Sequence, residues 1–169
     1  MGYFEALTRA MELLAEDSRV LFVGQSVAYG GQRAFKSFEA APVERRIEEP
    51  ISEDSTVGAC LGLALEGFIP VCFLPRMDFL IIAANQLVNH VDKLGPAFGA
   101  KVIFRTAVGA FSPLDPGPQH TQDHSEALKL MLKNTRVVTL DDPEEIIPRY
   151  RRELTAPGSV VMIERMSLY

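Results

Sequence analysis

Three side chains in this 169-residue chain are of types, and in settings, that could do chemistry: Glu53, His120 and Phe79. Glu53 ends Pro50-Ile51-Ser52-Glu53, where an apolar extended stretch meets a helix rich in small residues. A carboxyl at such a junction can be enclosed, its pKa raised and its proton lent to a ligand. An acid one residue past a Ser N-cap is also common on exposed helices, because the dipole favours it, so the pattern leaves both placements open. His120 ends Gly117-Pro118-Gln119-His120. A histidine held by a rigid Gly-Pro turn can reach a cleft and exchange a proton near neutral pH, or it can cap the next helix. His124 follows at four-residue spacing with Asp123 between, but no third ligand is evident, so no metal site is expected. Phe79, near the start of a helix, is a planar ring able to stack on a heteroaromatic ligand.

The elements that must position these residues follow from periodicity. Phe4, Leu7, Met11 and Leu14 are helically spaced and predict an amphipathic helix over 3–16. Val20-Leu21-Phe22-Val23, ended by Gly24, reads as a strand buried on both faces. Residues 25–48, punctuated by Gly30-Gly31 and Pro42, read as loop. Ser52 caps a helix running to about Glu66, and strands are expected at 69–74, 101–106, 136–140 and 159–163. Helices are expected at 77–94, where Gly95-Pro96 stops the chain, and at 123–133 and 143–154. Residues 107–122 form a long Gly/Pro-punctuated loop, of a length that is often functional. Strands alternating with helices imply an α/β fold, a doubly wound and mainly parallel sheet covered on both faces, in a single domain over 1–169.

Composition narrows the function. A net charge of −5 with scattered basic residues gives no footprint for nucleic acid. Glu5, Glu12, Glu16 and Asp17 rule out a signal peptide at the start, and the longest apolar run, Phe79 to Ala84, is too short to span a bilayer. A cytoplasmic protein is the expectation. Cys60 and Cys72 sit in apolar surroundings without zinc-site spacing and read as small buried hydrophobes. There is no P-loop and no strand-to-helix G-x-G-x-x-G; Gly58-x-x-x-Gly62 lies within a helix, where close packing on the sheet is its expected use. On the 77–94 helix, Asn85, Gln86, Asn89 and His90 interrupt an apolar surface and need partners, in the chain or across a subunit contact.

Together these segments resemble the pyrimidine-binding domain of the thiamine-diphosphate-dependent transketolase and 2-oxo acid dehydrogenase group, most of all that of the dehydrogenase beta subunit. The likeness runs in order through Pro50-Ile51-Ser52-Glu53 with Val57-Gly58, Gly67-Phe68-Ile69-Pro70, Asp78-Phe79, Asn85-Gln86-Leu87-Val88-Asn89-His90, Gly117-Pro118-Gln119-His120 and Val160-Val161-Met162-Ile163-Glu164. The resemblance implies that Glu53 hydrogen-bonds the aminopyrimidine ring nitrogen and favours the imino tautomer that removes the thiazolium proton. It implies also that Phe79 packs on the pyrimidine, that Ile51 lines the same pocket, and that His120 lies in the substrate channel.

Two departures fall at positions near the cofactor. Gly24-Gln25-Ser26 stands where the family usually has Gly followed by two acids, and Ile82 stands where it often has Gln. The family's Gly-Asp-Gly diphosphate motif does not occur, and the chain ends at Tyr169, where the beta subunit would enter a second domain. The expectation is therefore a pyrimidine-binding subunit of a split enzyme. Thiamine diphosphate, with Mg2+ held by a separate diphosphate-binding chain, would lie between the two subunits in a hetero-oligomer, a heterotetramer, with self-dimerisation a further option. The substrate would be a 2-oxo acid or ketose, undergoing decarboxylation, carboligation or acyl transfer. Gln25 and Ile82 also fit a non-catalytic regulatory or scaffolding domain that kept the fold. An unrelated flavodoxin-like domain with a ligand at its strand ends is the third reading.

Overall fold

In the strand pairs, alternate residues send their side chains to opposite faces of one fully covered sheet. Phe22, Val71, Ile103 and Val160 are aligned across four neighbouring strands, and all belong to one core cluster. The next residues along, Val23, Cys72, Phe104 and Val161, are aligned likewise and belong to the other. This period of two inside near-continuous apolar runs is what a sheet buried on both sides requires. The computed structural model describes residues 1–30, 33–112 and 115–169, so Gly31 of the glycine pair and residues 113–114 of the long loop lie outside the described residues.

The six strands are β1 (Val20–Gly24), β2 (Arg46–Glu48), β3 (Ile69–Leu74), β4 (Ile103–Val108), β5 (Arg136–Leu140) and β6 (Val160–Arg165). They pair in the order β2-β1-β3-β4-β6-β5, every pair parallel. One face is covered by α1 (Tyr3–Ala15) and α6 (Pro143–Thr155), with Leu7, Met11, Ile146 and Tyr150 in the core. The other is covered by α2 (Glu53–Leu65), by α3 (Met77–Leu80) and the helical stretch after it, which includes α4 (Lys93–Phe98), and by α5 (Ser125–Met131). The doubly wound parallel sheet expected from the sequence is the observed fold.

The differences have local causes. The edge strand β2 is three residues long, too short for a periodicity signal, and lies in the stretch read as loop. Strand β4 starts two residues late, because the Val102 N–H is taken by Ser159 Oγ at 3.0 Å and Lys101 turns aside to donate to Leu154 O and Ala156 O. The helix expected to stop at Gly95-Pro96 is broken earlier and ends later. A π-helical turn spans Gln86–Asp92, and α4 runs through Gly95 and Pro96 to Phe98. Pro96 has no N–H for the carbonyl four residues back, and Asn134 Nδ2 donates to that Asp92 carbonyl instead, at 2.9 Å. The helix ends at Gly99, φ 67°, with the Ala100 N–H bonded to Gly95 O at 2.9 Å. Ser52 stands at the N-cap position of α2 but makes no capping bond; its Oγ donates to Ser55 Oγ instead. The residues α2 turns inward are Val57, Cys60 and Ala64, whereas Gly58 faces the Gln86 side chain and Gly62 meets nothing, so the glycines are not the packing device expected. Both cysteines are free and buried.

Candidate functional site

All the sequence-expected site residues leave the same edge of the sheet. Gln25 directly follows β1, Glu53 opens the helix after β2, Phe79 lies just past β3, and His120 is on the long segment after β4. These are carboxyl ends of parallel strands. Between β1 and β3 the chain changes direction, β1 leading outward to β2 and β3 leading the other way to β4. Such a switch point opens a crevice where ligands of open parallel sheets bind.

Two glycines make the edge possible. Gly24 has φ 146° and lies so close to β3 that a Cβ would stand 2.1 Å from Phe73 O. At Gly109 a Cβ would stand 1.9 Å from His120 O, so only glycine lets the long segment fold back against the end of β4. Beyond Gly24 the loop is held by an acid that sequence reasoning missed. Glu48, at the end of β2, accepts the N–H groups of Ser26, Val27 and Ala28 at 2.6, 2.9 and 2.8 Å, around a left-handed Ser26 at φ 58°. Three convergent amides around one carboxylate are an anion nest filled from within.

That loop sets Gln25, and Gln25 meets Glu53. Glu53 is 6% exposed and Gln25 8%, and Gln25 Nε2 donates to Glu53 Oε1 at 3.2 Å. Of the two placements the sequence left open for Glu53, the buried one is realised. Its Oε2 receives no hydrogen bond among the described residues. Phe79 and His120 form a second pair, edge to face, with ring centroids 5.3 Å apart and planes at 83°. His120 Nδ1 is buried with no hydrogen-bond partner among the described residues. Ile51 and Ile82 are 83% and 61% exposed, so neither is enclosed by this chain. Ile82 borders, with Phe79 and Ile81, an open cavity of about 480 Å³ that also touches Asp78 and His124. A separate cavity of about 280 Å³ lies against Phe79 and His120 and is lined also by Arg33 and Arg76. A larger cavity, about 820 Å³, is at the opposite edge, among residues that precede the strands, such as Arg19, Phe68, Lys101 and Asn134. It contains none of the expected site residues.

No group of three His, Cys, Asp or Glu side chains that could hold a metal ion occurs among the described residues. The polar residues of the broken helix find partners in the chain. Asn89 Nδ2 donates to Asn85, Lys93 donates to Asn89, and Gln86 reaches Asp54 at 3.4 Å, while His90 Nδ1 is buried and unpaired. No helix of the described residues is long and apolar enough to cross a membrane.

The fold defines a class, doubly wound parallel α/β domains, and comparison with known proteins narrows it. The family model described as "Transketolase, pyrimidine binding domain" matches residues 1–169, and the chain belongs to that family. It is 29% identical over 176 residues to the pyruvate dehydrogenase E1 component subunit beta of Staurastrum punctulatum, covering 100% of this chain and 53% of the relative. It is 27% identical over 172 residues to the 3-methyl-2-oxobutanoate dehydrogenase subunit beta of Mycobacterium tuberculosis, covering 98% of this chain and 49% of the relative. The chain thus spans about half the length of the curated relatives it matches. A solved structure titled "Split gene transketolase, inactive beta4 tetramer" superposes with a TM-score of 0.69 at 19% identity, covering 95% of this chain and 50% of that one, a likeness of fold.

Proposed function

We propose that this domain binds the pyrimidine ring of thiamine diphosphate as one half of an enzyme acting on a 2-oxo acid or ketose. A second, diphosphate-binding chain would complete the site and hold Mg2+. The observation that carries the reading is Glu53: a carboxyl buried at the crevice between β1 and β3, with one oxygen engaged by Gln25 and the other unengaged.

The surrounding residues fit such a ring. Phe79 offers an aromatic face, and Ile51 and Ile82 offer apolar surface that stays in water until something covers it. The exposure of those two isoleucines is what an edge completed by another chain would show. When bound, thiamine diphosphate supplies a carbon that adds to a carbonyl and an electron sink for the bond that breaks. Glu53 would donate its proton to the ring nitrogen and hold that nitrogen protonated while chemistry proceeds elsewhere. Gln25 fixes the carboxyl by donating from Nε2 to Oε1, which leaves Oε2 to carry the proton toward the ligand. His120, set by the close approach at Gly109, would orient or protonate the substrate beside Phe79.

Titration calorimetry with thiamine diphosphate and Mg2+ tests this, run on the chain alone and with a co-purified diphosphate-binding chain. Binding should be tight only for the pair. In the pair, Glu53→Gln should cut turnover by about 10²–10⁴-fold with assembly unchanged. Near-normal turnover in that variant overturns the role of Glu53, and tight binding by the lone chain overturns the half-site.

A further inference from the structure

The cavity of about 820 Å³ at the amino ends of the strands holds none of the residues assigned to the cofactor, so its chemistry is independent of that reading. Three helices end around it. α2 and α4 are followed by Gly67 and Gly99, both at positive φ, and α6 ends at Thr155. Phe68, Pro96, Leu154 and Pro157 give the cavity apolar walls. Helix C-termini carry partial negative charge, so cations are the expected neighbours. Two line the cavity, Arg19 and Lys101. Arg19 is neutralised by Asp17, which accepts from its Nε and Nη2 at 3.1 and 2.7 Å.

Lys101 has neutral partners only. Its Nζ donates to Leu154 O at 2.7 Å and to Ala156 O at 2.6 Å, at the end of α6. Two acceptors use two hydrogens. A neutral amine is therefore fully bonded there and keeps its lone pair, whereas the ammonium has a third hydrogen without an acceptor among the described residues. Burial pushes the Lys101 pKa down to about 8, with Arg136 and Arg19 acting in the same direction and Glu153 and Asp17 opposing. The other lysines, Lys36, Lys93, Lys129 and Lys133, are exposed. A desolvated amine that lines an apolar-walled cavity is an activated nucleophile. Its two carbonyl neighbours limit what it can become. An amide keeps one N–H for a carbonyl and adds no charge. A carbamate would set a negative charge against carbonyl oxygens, and a neutral imine would keep no hydrogen for either.

We propose that Lys101 is a site of acylation: its amine attacks the acyl carbon of a thioester, and the cavity among Phe68, Pro96, Leu154 and Pro157 receives the acyl chain. The neutral amine forms a C–N bond and the C–S bond breaks. The electron pair leaves with the thiolate, and one amine proton passes to solvent. The acyl-lysine retains a single N–H, so one of the two bonds tying the end of α6 to the entry of β4 is lost.

The test incubates the folded chain with the acetyl thioester of N-acetylcysteamine from about pH 6 to about pH 10, and peptide mass spectrometry follows acetylation at each lysine. At pH 8 an amine of pKa about 8 is about half neutral, against about 0.4% for one at the ordinary value near 10.4. Lower basicity and half-burial each return part of that gain, so Lys101 should react about tenfold faster than the exposed lysines. Its rate should level off above about pH 8, where an ordinary lysine still gains. A butanoyl thioester should show the same preference, and urea should abolish it. Lys101→Arg, whose guanidinium can keep both carbonyl bonds, should remove the fast site and leave labelling of the other four lysines unchanged. Labelling of Lys101 no faster than that of the exposed lysines would make it a structural tether and overturn the proposal. So would a preference that survives urea, or one that is lost with the butanoyl thioester. None of these outcomes bears on Glu53, which lies at the other edge of the sheet.

Discussion

At the residue scale the edge of the sheet is governed by who shares a hydrogen bond with Glu53. Gln25 supplies a neutral donor, so the carboxyl can be buried without a second charge beside it. Gln25→Ala should leave a buried oxygen unpaired and destabilise the fold by about 1–3 kcal/mol, measurable by urea denaturation. Gln25→Glu would set two carboxyls together, raising the pKa of the pair above the unfolded value. A raised acid pKa contributes relative stability at low pH that is lost as pH rises through it, so the variant should lose more in Tm at pH 8 than at pH 5. An equal loss at both would mean the side chains swing apart. Both glycine contacts belong to this scale too. Gly109→Ala should displace His120, since no side-chain rotation relieves a clash with backbone, and depress turnover in the two-chain enzyme proposed above.

At the element scale, the turns between helices and strands are held by single acids. Asp92, at the end of the π-helical turn, accepts the N–H groups of Lys133, Asn134 and Thr135 at 2.7–3.1 Å, tying the broken helix to the entry of β5. Burial alone would push the Asp92 carboxyl up, but those amides hold it below the usual range. A depressed pKa means stability present above the unfolded value near 4 and lost as pH falls through the folded one. Asp92→Asn should therefore cost about 1–3 kcal/mol near neutral pH, with the gap to the parent closing on acidification. A constant gap would show that packing, not charge, is what the substitution removes. This junction was not legible in the sequence. Gly95-Pro96 reads locally as a stop, and only the amide of Asn134, 38 positions beyond Pro96, supplies the donor that lets the helix continue.

At the scale of the whole molecule, one ion pair joins the layers. Arg105 of β4 and Glu164 of β6 are fully buried and bonded to each other; Arg105 also donates to Ser37 and lies over Phe38 and Phe73, while Tyr150 and Tyr169 donate to Glu164. Breaking a buried pair strands one charge. Arg105→Met should cost about 3–5 kcal/mol, and the double change with Glu164→Leu should recover much of it. No recovery would mean that Ser37 and the tyrosines, rather than the pair, carry the stability. The hint was present in the sequence, an Arg and a Glu each inside an otherwise apolar strand, but nothing local says that they face one another.

Local pattern sufficed for the kinds of element, the parallel sheet and the family, because helix and strand periods and turn residues act over a few neighbours. It also sufficed to single out Glu53, Phe79 and His120 by type and setting. Whether Glu53 is buried, which side chain meets it, how β2 and Glu48 brace the loop before it, and where Arg33 and Arg76 converge were decided only by the tertiary structure. Those facts depend on segments tens of residues apart being packed against one another, and burial and electrostatics do not exist until that packing does.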